Sequence, residues 1–292
     1  MTKPIATFSR TKEIMEKHKL SFKKSLGQNF LIDANILKKI VKKAGVTDQT
    51  TVIEIGPGIG ALTEQLALEA KRVIAIEIDQ RFIDVLEDTL HTFDNIKVLN
   101  EDILKVDIQS LIEEHSDDQE DIRVVANLPY YITTPILMKL LMEPSPIHSL
   151  TVMMQKEVAD RMAATPNTKE YGSLSIAVQY FTESNVVMTV PKTCFTPQPN
   201  VDSAILQLVK REQPPVDVSD EELFFKVVQG SFKQRRKTLK NNLQKVFEDQ
   251  LTKEQLANVF EKANIEPSRR GESLSIQEFA HLTKQVERSI GQ

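Results

Sequence analysis

From Thr51 to Met154 the chain alternates short β-branched runs with helix-forming stretches, and this alternation limits the fold more than any other feature. Thr51-Val52-Ile53-Glu54-Ile55 reads as a strand, and the alanine- and leucine-rich stretch at residues 61–70 reads as its helix. Arg72-Val73-Ile74-Ala75-Ile76-Glu77 is a second strand, with a helix over 81–91. Residues 96–99 and 122–126 form a third and a fourth, and residues 150–154 a fifth, with a helix over 157–163. The runs are apolar on both faces rather than alternating, as in strands covered on both sides. Strand and helix taking turns at this spacing predict a mostly parallel α/β sheet with helices on both faces. Two further runs, 186–190 and 201–209, have no helical pattern between them, only a link containing Pro191, Pro197 and Pro199. They predict a hairpin-type pair that adds an antiparallel strand at the sheet edge.

Gln213-Pro214-Pro215 punctuates the end of this pattern. Beyond it the chain reads as helical to the end. Ser219 and Glu222 stand at capping-box spacing before Leu223-Phe224-Phe225, and amphipathic helices follow over 232–247, 253–262 and 276–289. The expected organisation is a basic N-terminal segment at 1–30, an α/β domain at 31–212 and a small all-α domain at 213–292.

No run of about 18 apolar residues exists, so no membrane span is expected. The first twenty residues are polar and basic and lack the apolar stretch of a secretory signal. Cys194 is the single cysteine, which rules out an intrachain disulfide and fits a cytoplasmic protein. The five histidines are scattered without ligand spacing, so no metal site is expected. The net charge of −4 hides strong segregation. Residues 1–30 carry seven Lys and Arg against two acids, and residues 226–245 carry seven and no acid. The acids gather elsewhere, notably over residues 113–121. Phosphate contacts depend on such local basic patches rather than on net charge, so Lys233, Arg235, Arg236, Lys237 and Lys240 are candidate contacts to the phosphates of a nucleic acid.

Glu54-Ile55-Gly56-Pro57-Gly58-Ile59-Gly60 joins the first strand to the first helix. Glycines let a backbone turn sharply and approach a ligand closely. Gly56 and Gly58, with Ala61, also satisfy a dinucleotide fingerprint, and Glu77 lies about 20 residues on, where it can hold a ribose. Asp102 follows the third strand, where it can accept from an adenine amino group. On this much, NAD and S-adenosylmethionine are both candidates. Nothing resembles a hydride-transfer site with a polarising His or Arg, and no G-x-x-x-x-G-K-[ST] phosphate loop is present.

Asn127-Leu128-Pro129-Tyr130 decides between them. It follows the strand Ile122-Arg123-Val124-Val125-Ala126 and places an amide, a rigid turn and an aromatic ring at a strand's carboxyl end, where open α/β sheets bind ligands. Asn127 Oδ1 and a backbone carbonyl can accept the two hydrogens of an exocyclic amine, and the Tyr130 ring can stack on the base. That set points to methyl transfer onto a base amine.

Together these motifs resemble the ribosomal RNA adenine dimethyltransferases, specifically their bacterial small-subunit (16S) branch. The resemblance covers nearly the whole chain. It includes Lys24-Ser25-Leu26-Gly27-Gln28-Asn29-Phe30-Leu31, the segments already described, Gln155-Lys156-Glu157-Val158-Ala159-Asp160-Arg161, the run from Phe195 through Ser203, and Phe232-Lys233-Gln234-Arg235-Arg236-Lys237-Thr238-Leu239. It implies a Rossmann-like, class I S-adenosylmethionine-dependent methyltransferase sheet. Gln28, Asn29 and Leu31 would contact the methionine end of the cofactor, with Gly56 and Gly58 lining the same pocket and Asn127 closing it. Glu77 and Ile78 would hold the ribose side, and Asp102 and Ile103 the adenine. Asn127, Leu128, Pro129 and Tyr130 would hold the target adenine, with Phe195 stacking on its other face. The implied reaction is dimethylation of N6 on two adjacent adenosines in the 3′-terminal hairpin loop of 16S rRNA in the small ribosomal subunit, with a role in subunit biogenesis, by a monomer. The alternatives are the large-subunit rRNA methyltransferases of antibiotic resistance, against which the long basic C-terminal segment argues, and a ribosome-assembly binding factor.

Overall fold

The computed structural model describes residues 3–20, 29–116 and 121–290. Gln28 and residues 24–27 of the N-terminal motif lie outside them, as do residues 117–120 of the acidic run. The chain divides into two compact units, one of residues 1–159 with 184–210, the other of 160–183 with 211–292.

The first unit opens with helix α1 (Phe8–Lys17), capped by the Thr7 hydroxyl on Arg10 N. Its apolar side chains Ile14 and Met15 are buried, each contributing roughly 1.5–3 kcal/mol of burial. Lys17 Nζ lies 2.7 Å from both Asp88 oxygens and His18 Nε2 lies 2.9 Å from one, which holds the Asp88 carboxyl at a pKa of about 2. The end of α1 is thus fixed to the sheet domain through an acid that the sequence places seventy residues away.

Strand β1 (Phe30–Leu31) leads to α2 (Ala34–Ala44), capped by Asp33. Next come β2 (Thr50–Ile55), α3 (Ala61–Ala67), β3 (Arg72–Ile76), α4 (Ile83–Leu90), β4 (Ile96–Leu99) and α5 (Ile108–His115). They are followed by β5 (Asp121–Asn127), α6 (Thr133–Met142), β6 (Ile147–Gln155) and α7 (Lys156–Met162). Then come α8 (Ser173–Phe181), β7 (Thr182–Val190), β8 (Phe195–Thr196) and β9 (Ser203–Lys210). Seven strands form one sheet in the order β4-β3-β2-β5-β6-β9-β7. The strands from β2 to β6 pair in parallel, and β9 runs antiparallel to β6. The expected antiparallel strand is present, one place in from the edge that β7 occupies. Strand order reverses between β2 and β5, so a crevice opens beyond their carboxyl ends. The strand interiors are apolar on both faces; Val52, Ile53, Val73, Ile74, Val124 and Val125 are all fully buried.

The second unit holds α9 (Glu221–Phe232), α10 (Leu239–Val246), α11 (Lys253–Ala263) and α12 (Ile276–Ile290) together with α8. Its core joins Tyr171, Ile176 and Tyr180 to Phe224, Phe260 and Phe279. Three sequence expectations change here. The helical unit is not confined to residues after 213, because residues 160–183 pack with it. They bury two tyrosines, and the Tyr171 hydroxyl donates to the Leu274 carbonyl. The capping residue of α9 is Asp220, accepting from Leu223 N at 2.8 Å, whereas the Ser219 hydroxyl goes to Glu287. Finally, the helix expected over 232–247 is broken after Phe232. Thr238 caps a new helix there, and Asn242 Nδ2 donates to the Ser231 carbonyl at the end of α9 and to the Gln234 carbonyl in the turn, which also accepts from Lys237 N. No helix among the described residues is long and apolar enough to cross a membrane.

Candidate active site

The carboxyl ends of β2, β3, β4 and β5 open onto one cleft. Each contributes because the chain leaves its strand differently. After β2 the backbone turns through Gly56, Gly58 and Gly60, all at positive φ. At Gly58 a Cβ would lie 3.1 Å from Phe30 Cε1, and at Gly60 it would press on Leu90, so these positions exclude side chains on two counts. The amide of Gly58 is held by Glu77 Oε2 at 3.1 Å, and Glu77 Oε1 accepts from Asp79 N at 2.8 Å. Glu77 therefore ties the end of β3 to the glycine turn. Burial raises its pKa despite those donors.

Gly56, Gly58, Glu77, Ile78, Asp102, Ile103, Asn29, Leu31 and Asn127 all line this cleft. Ile78 is 63% exposed there, an apolar surface left largely uncovered by the described residues. Asp102 turns one oxygen to Leu104 N, capping its own turn, and keeps the other toward Lys105 at 3.9 Å.

The charge of the lining separates the two cofactor candidates. Glu77, Asp79, Glu101 and Asp102 line the cleft beside the buried Glu54, and among the described residues no lysine or arginine does. A dinucleotide would set its pyrophosphate against these acids. A sulfonium with an ammonium group is complementary to them. Glu54 is the acid that sequence reasoning passed over. It is the penultimate residue of β2, is 1% exposed, and its Oε2 has no hydrogen-bond partner among the described residues. Burial, reinforced by the nearby Glu77 carboxylate, pushes its pKa up to about 8. The signal was present: one acid inside Val52-Ile53-Glu54-Ile55, a run otherwise built for burial. The donor set of this cleft, acids at three strand ends and an uncovered apolar side chain at Ile78, fits S-adenosylmethionine.

The β5 end carries the second half of the site. Leu128 N donates to the Met153 carbonyl at 3.1 Å, continuing the β5–β6 ladder one residue beyond the strand. The Pro129 carbonyl is fully engaged, accepting from Ile132 N at 3.2 Å and the Thr133 hydroxyl at 3.0 Å. The Asn127 amide nitrogen faces the Asn29 carbonyl at 3.5 Å, which leaves Oδ1 to accept. Tyr130 Oη and Ser203 Oγ are 2.7 Å apart, so the ring is anchored to the start of β9, and burial raises its pKa and keeps it a neutral phenol. Leu128, Pro129 and Tyr130 line the same cleft, and so does the next residue, Tyr131, which is 59% exposed.

Phe195 is not brought to this cleft. It is 3% exposed and packs in the core of the first unit, in a two-stranded sheet where it pairs with Leu31. Core packing on an edge strand is the other reading this stretch allows for Phe195 and Cys194, but its partner strand β1 lies far away in sequence. Lys233, Arg235, Arg236, Lys237 and Lys240 are all exposed in the second unit. The first four lie on the turn between α9 and α10 rather than on a helix face. Arg235 donates to the Lys169 carbonyl at 2.6 Å and lies 3.4 Å from Glu272.

This sheet and this cleft are those of an S-adenosylmethionine-dependent methyltransferase. A family model described as ribosomal RNA adenine dimethylase matches residues 19–282, and the chain belongs to that family. It is 60% identical to the ribosomal RNA small subunit methyltransferase A of Anoxybacillus flavithermus, covering 98% of this chain and 97% of that one. It is 58% identical to the protein of the same name from Oceanobacillus iheyensis, over 96% and 95%. Among solved structures it is similar to a dimethyladenosine transferase from Plasmodium falciparum, with a TM-score of 0.74 and 27% identity over 88% of this chain and 97% of that one. It is also similar to the 23S rRNA methyltransferase ErmE, with a TM-score of 0.65 and 25% identity over 88% and 99%.

Proposed function

We propose that this protein dimethylates N6 of two adjacent adenosines in the 3′-terminal hairpin loop of 16S rRNA, acting as a cytoplasmic monomer on the small ribosomal subunit during its biogenesis. The observation that carries the reading is the acceptor pair at the end of β5 beside an acid-lined cleft; the small-subunit target is supported by the names of the relatives.

S-adenosylmethionine supplies a methyl group already activated by a positively charged sulfur. Asn29, Leu31, Gly56 and Gly58 would hold its methionine end, Glu77 and Ile78 its ribose, and Asp102 and Ile103 its adenine. The remaining work falls to positioning, which is worth up to roughly 7–11 kcal/mol in favourable cases. The N6 lone pair of adenine is delocalised into the ring and is a poor nucleophile. Asn127 Oδ1 and a backbone carbonyl would accept the two N6 hydrogens and draw the amine toward tetrahedral geometry. The carbonyl is that of Leu128, since both lone pairs of the Pro129 oxygen are used. Tyr130, fixed by Ser203, would stack on the base, which must leave its own stack to enter. As the N–C bond forms, the nitrogen becomes acidic and releases its proton to solvent, so no dedicated general base is needed. After one transfer a single N6 hydrogen remains, one acceptor loses its partner, and the apolar Leu128 side chain is the neighbour that must accommodate the new methyl.

The turn between α9 and α10 would grip phosphates. Arg236→Ala is expected to reduce the salt dependence of RNA binding by about 0.9 in slope, or 0.7 on a single strand. Arg235→Ala should change it less, because its guanidinium already bonds within the unit. Binding titrated against salt concentration checks both; an unchanged slope in Arg236→Ala removes this turn from the interface.

The target is tested by offering labelled S-adenosylmethionine with undermethylated small or large subunits separately. Label in the small subunit supports the reading. Label only in the large subunit would move the protein to the antibiotic-resistance branch, and label in neither, with cofactor still bound, to an assembly factor.

A further inference from the structure

Tyr131 is a large side chain left 59% exposed in the wall of the cleft, directly after the residues that would hold the target base. Single exposed apolar side chains are common on protein surfaces and ordinarily mean nothing. Three observations set this one apart. Its backbone is held rigid, because the Pro129 carbonyl accepts from both Ile132 N and the Thr133 hydroxyl across it, and α6 begins two residues on. Its hydroxyl makes no hydrogen bond among the described residues, unlike that of Tyr130, which is tied to Ser203, so nothing of the protein draws the ring back against the fold. It also shares the cleft with Tyr130 while lying further toward solvent, 59% exposed against a Tyr130 that is only part-exposed.

A base that leaves its stack to reach an active site strips one face of its chain neighbour of its stacking partner. That neighbour stays tethered one nucleotide away, outside the pocket, with an uncovered π-face. Sequence-specific contacts to single-stranded RNA characteristically cover such faces with aromatic side chains.

We infer that Tyr131 is a stacking platform for the nucleobase next to the methylated adenosine, a binding subsite for a flanking base distinct from the pocket of the target base. The inference rests on the reading that this cleft receives an adenine of RNA. The ring acts through its π-face, so the hydroxyl is dispensable and an aliphatic side chain of similar size is no substitute. Because the subsite grips substrate outside the reacting centre, it contributes to the affinity for RNA rather than to the transfer step.

The test compares Tyr131→Ala, Tyr131→Leu and Tyr131→Phe with the unaltered protein on undermethylated small subunits at saturating S-adenosylmethionine. Stacking on one aromatic side chain corresponds to a loss between about fivefold and about 150-fold on substitution by alanine. Tyr131→Ala and Tyr131→Leu are expected to raise KM for the subunit by a factor in that range, with kcat and cofactor affinity retained, and Tyr131→Phe to behave as the unaltered protein. In a parallel measurement, a short single-stranded RNA carries 2-aminopurine beside an adenosine, and its fluorescence is quenched when the base stacks. Quenching by the unaltered protein and by Tyr131→Phe, and its absence with Tyr131→Ala, is the expected pattern. An unchanged KM in Tyr131→Ala, rescue by leucine, or a Phe variant as impaired as the Ala variant overturns the subsite while leaving the proposed function standing. A failure of the unaltered protein to methylate subunits at all overturns the reading beneath it, and the subsite with it.

Discussion

Asn127→Ala is expected to lower kcat by at least about a hundredfold while the affinity for S-adenosylmethionine stays near that of the unaltered protein. The size follows from what is removed. Asn127 stands at the last position of β5, paired with Met153 of β6, so its side chain is presented by two central strands rather than by a loop. Its amide nitrogen faces the Asn29 carbonyl and its oxygen is left as an acceptor. Truncation leaves an incoming amine one acceptor, that of Leu128, and one acceptor cannot set the direction of a lone pair. The contact to Asn29 that is also lost is long, at 3.5 Å, and contributes little to the cofactor pocket. Single-turnover methylation gives the transfer rate and calorimetric titration gives the cofactor affinity. If both fall together by the same factor, Asn127 belongs to the cofactor pocket and not to the orientation of the base.

The second large effect is on stability. Glu54 is buried without a partner for Oε2, and its pKa of about 8 means that the cofactor-free protein holds it as a neutral acid at pH 7. In the unfolded chain the same group ionises near 4.5. Below pH 4.5 it is protonated in both states and contributes nothing. Between pH 4.5 and 8 the unfolded chain releases the proton and the folded one retains it, so stability falls steadily as pH rises. The accumulated loss, present in full above pH 8, is at most roughly 5 kcal/mol. Glu54→Gln keeps the shape and removes the titration. Its expected Tm equals that of the unaltered protein near pH 4.5 and exceeds it at pH 8 by an amount on the order of 10 °C. Thermal unfolding of both proteins across this range, without cofactor, checks the sign. Parallel pH profiles would mean that Glu54 is ionised and partnered in the folded protein.

The parallel sheet was legible because its signal is local: each strand is a run apolar on both faces, bounded by a helix. The same is true of the glycine turn, of Glu77 and Asp102 at their strand ends, and of the tetrad from Asn127 to Tyr130, each of which lies within a few residues of the strand that positions it. What escaped depends on distant pairing. Phe195 stands in a Pro-rich link and pairs with Leu31, more than 160 residues earlier, and its ring lies in the core. Residues 160–183 join the helical unit through Tyr171 and Leu274, a contact with no local trace. The break after Phe232 rests on Thr238 as a cap and on Asn242 donating to the Ser231 and Gln234 carbonyls; helical periodicity runs straight through both. Glu54 escaped for the opposite reason. Its neighbours were so plainly a buried strand that the acid among them was absorbed into the motif.

The central claim is that this cleft aims the exocyclic amine of an adenine at an activated methyl group, twice. The most direct measurement is mass spectrometry of the nucleosides released from undermethylated small-subunit RNA after exhaustive reaction with S-adenosylmethionine. The account predicts N6,N6-dimethyladenosine, with the N6-monomethyl form appearing only at early times. Methyl groups on a ring nitrogen or on a ribose would contradict it, because neither position presents two hydrogens to Asn127 and Leu128, and methyl groups on the amine of another base would contradict adenine as the target.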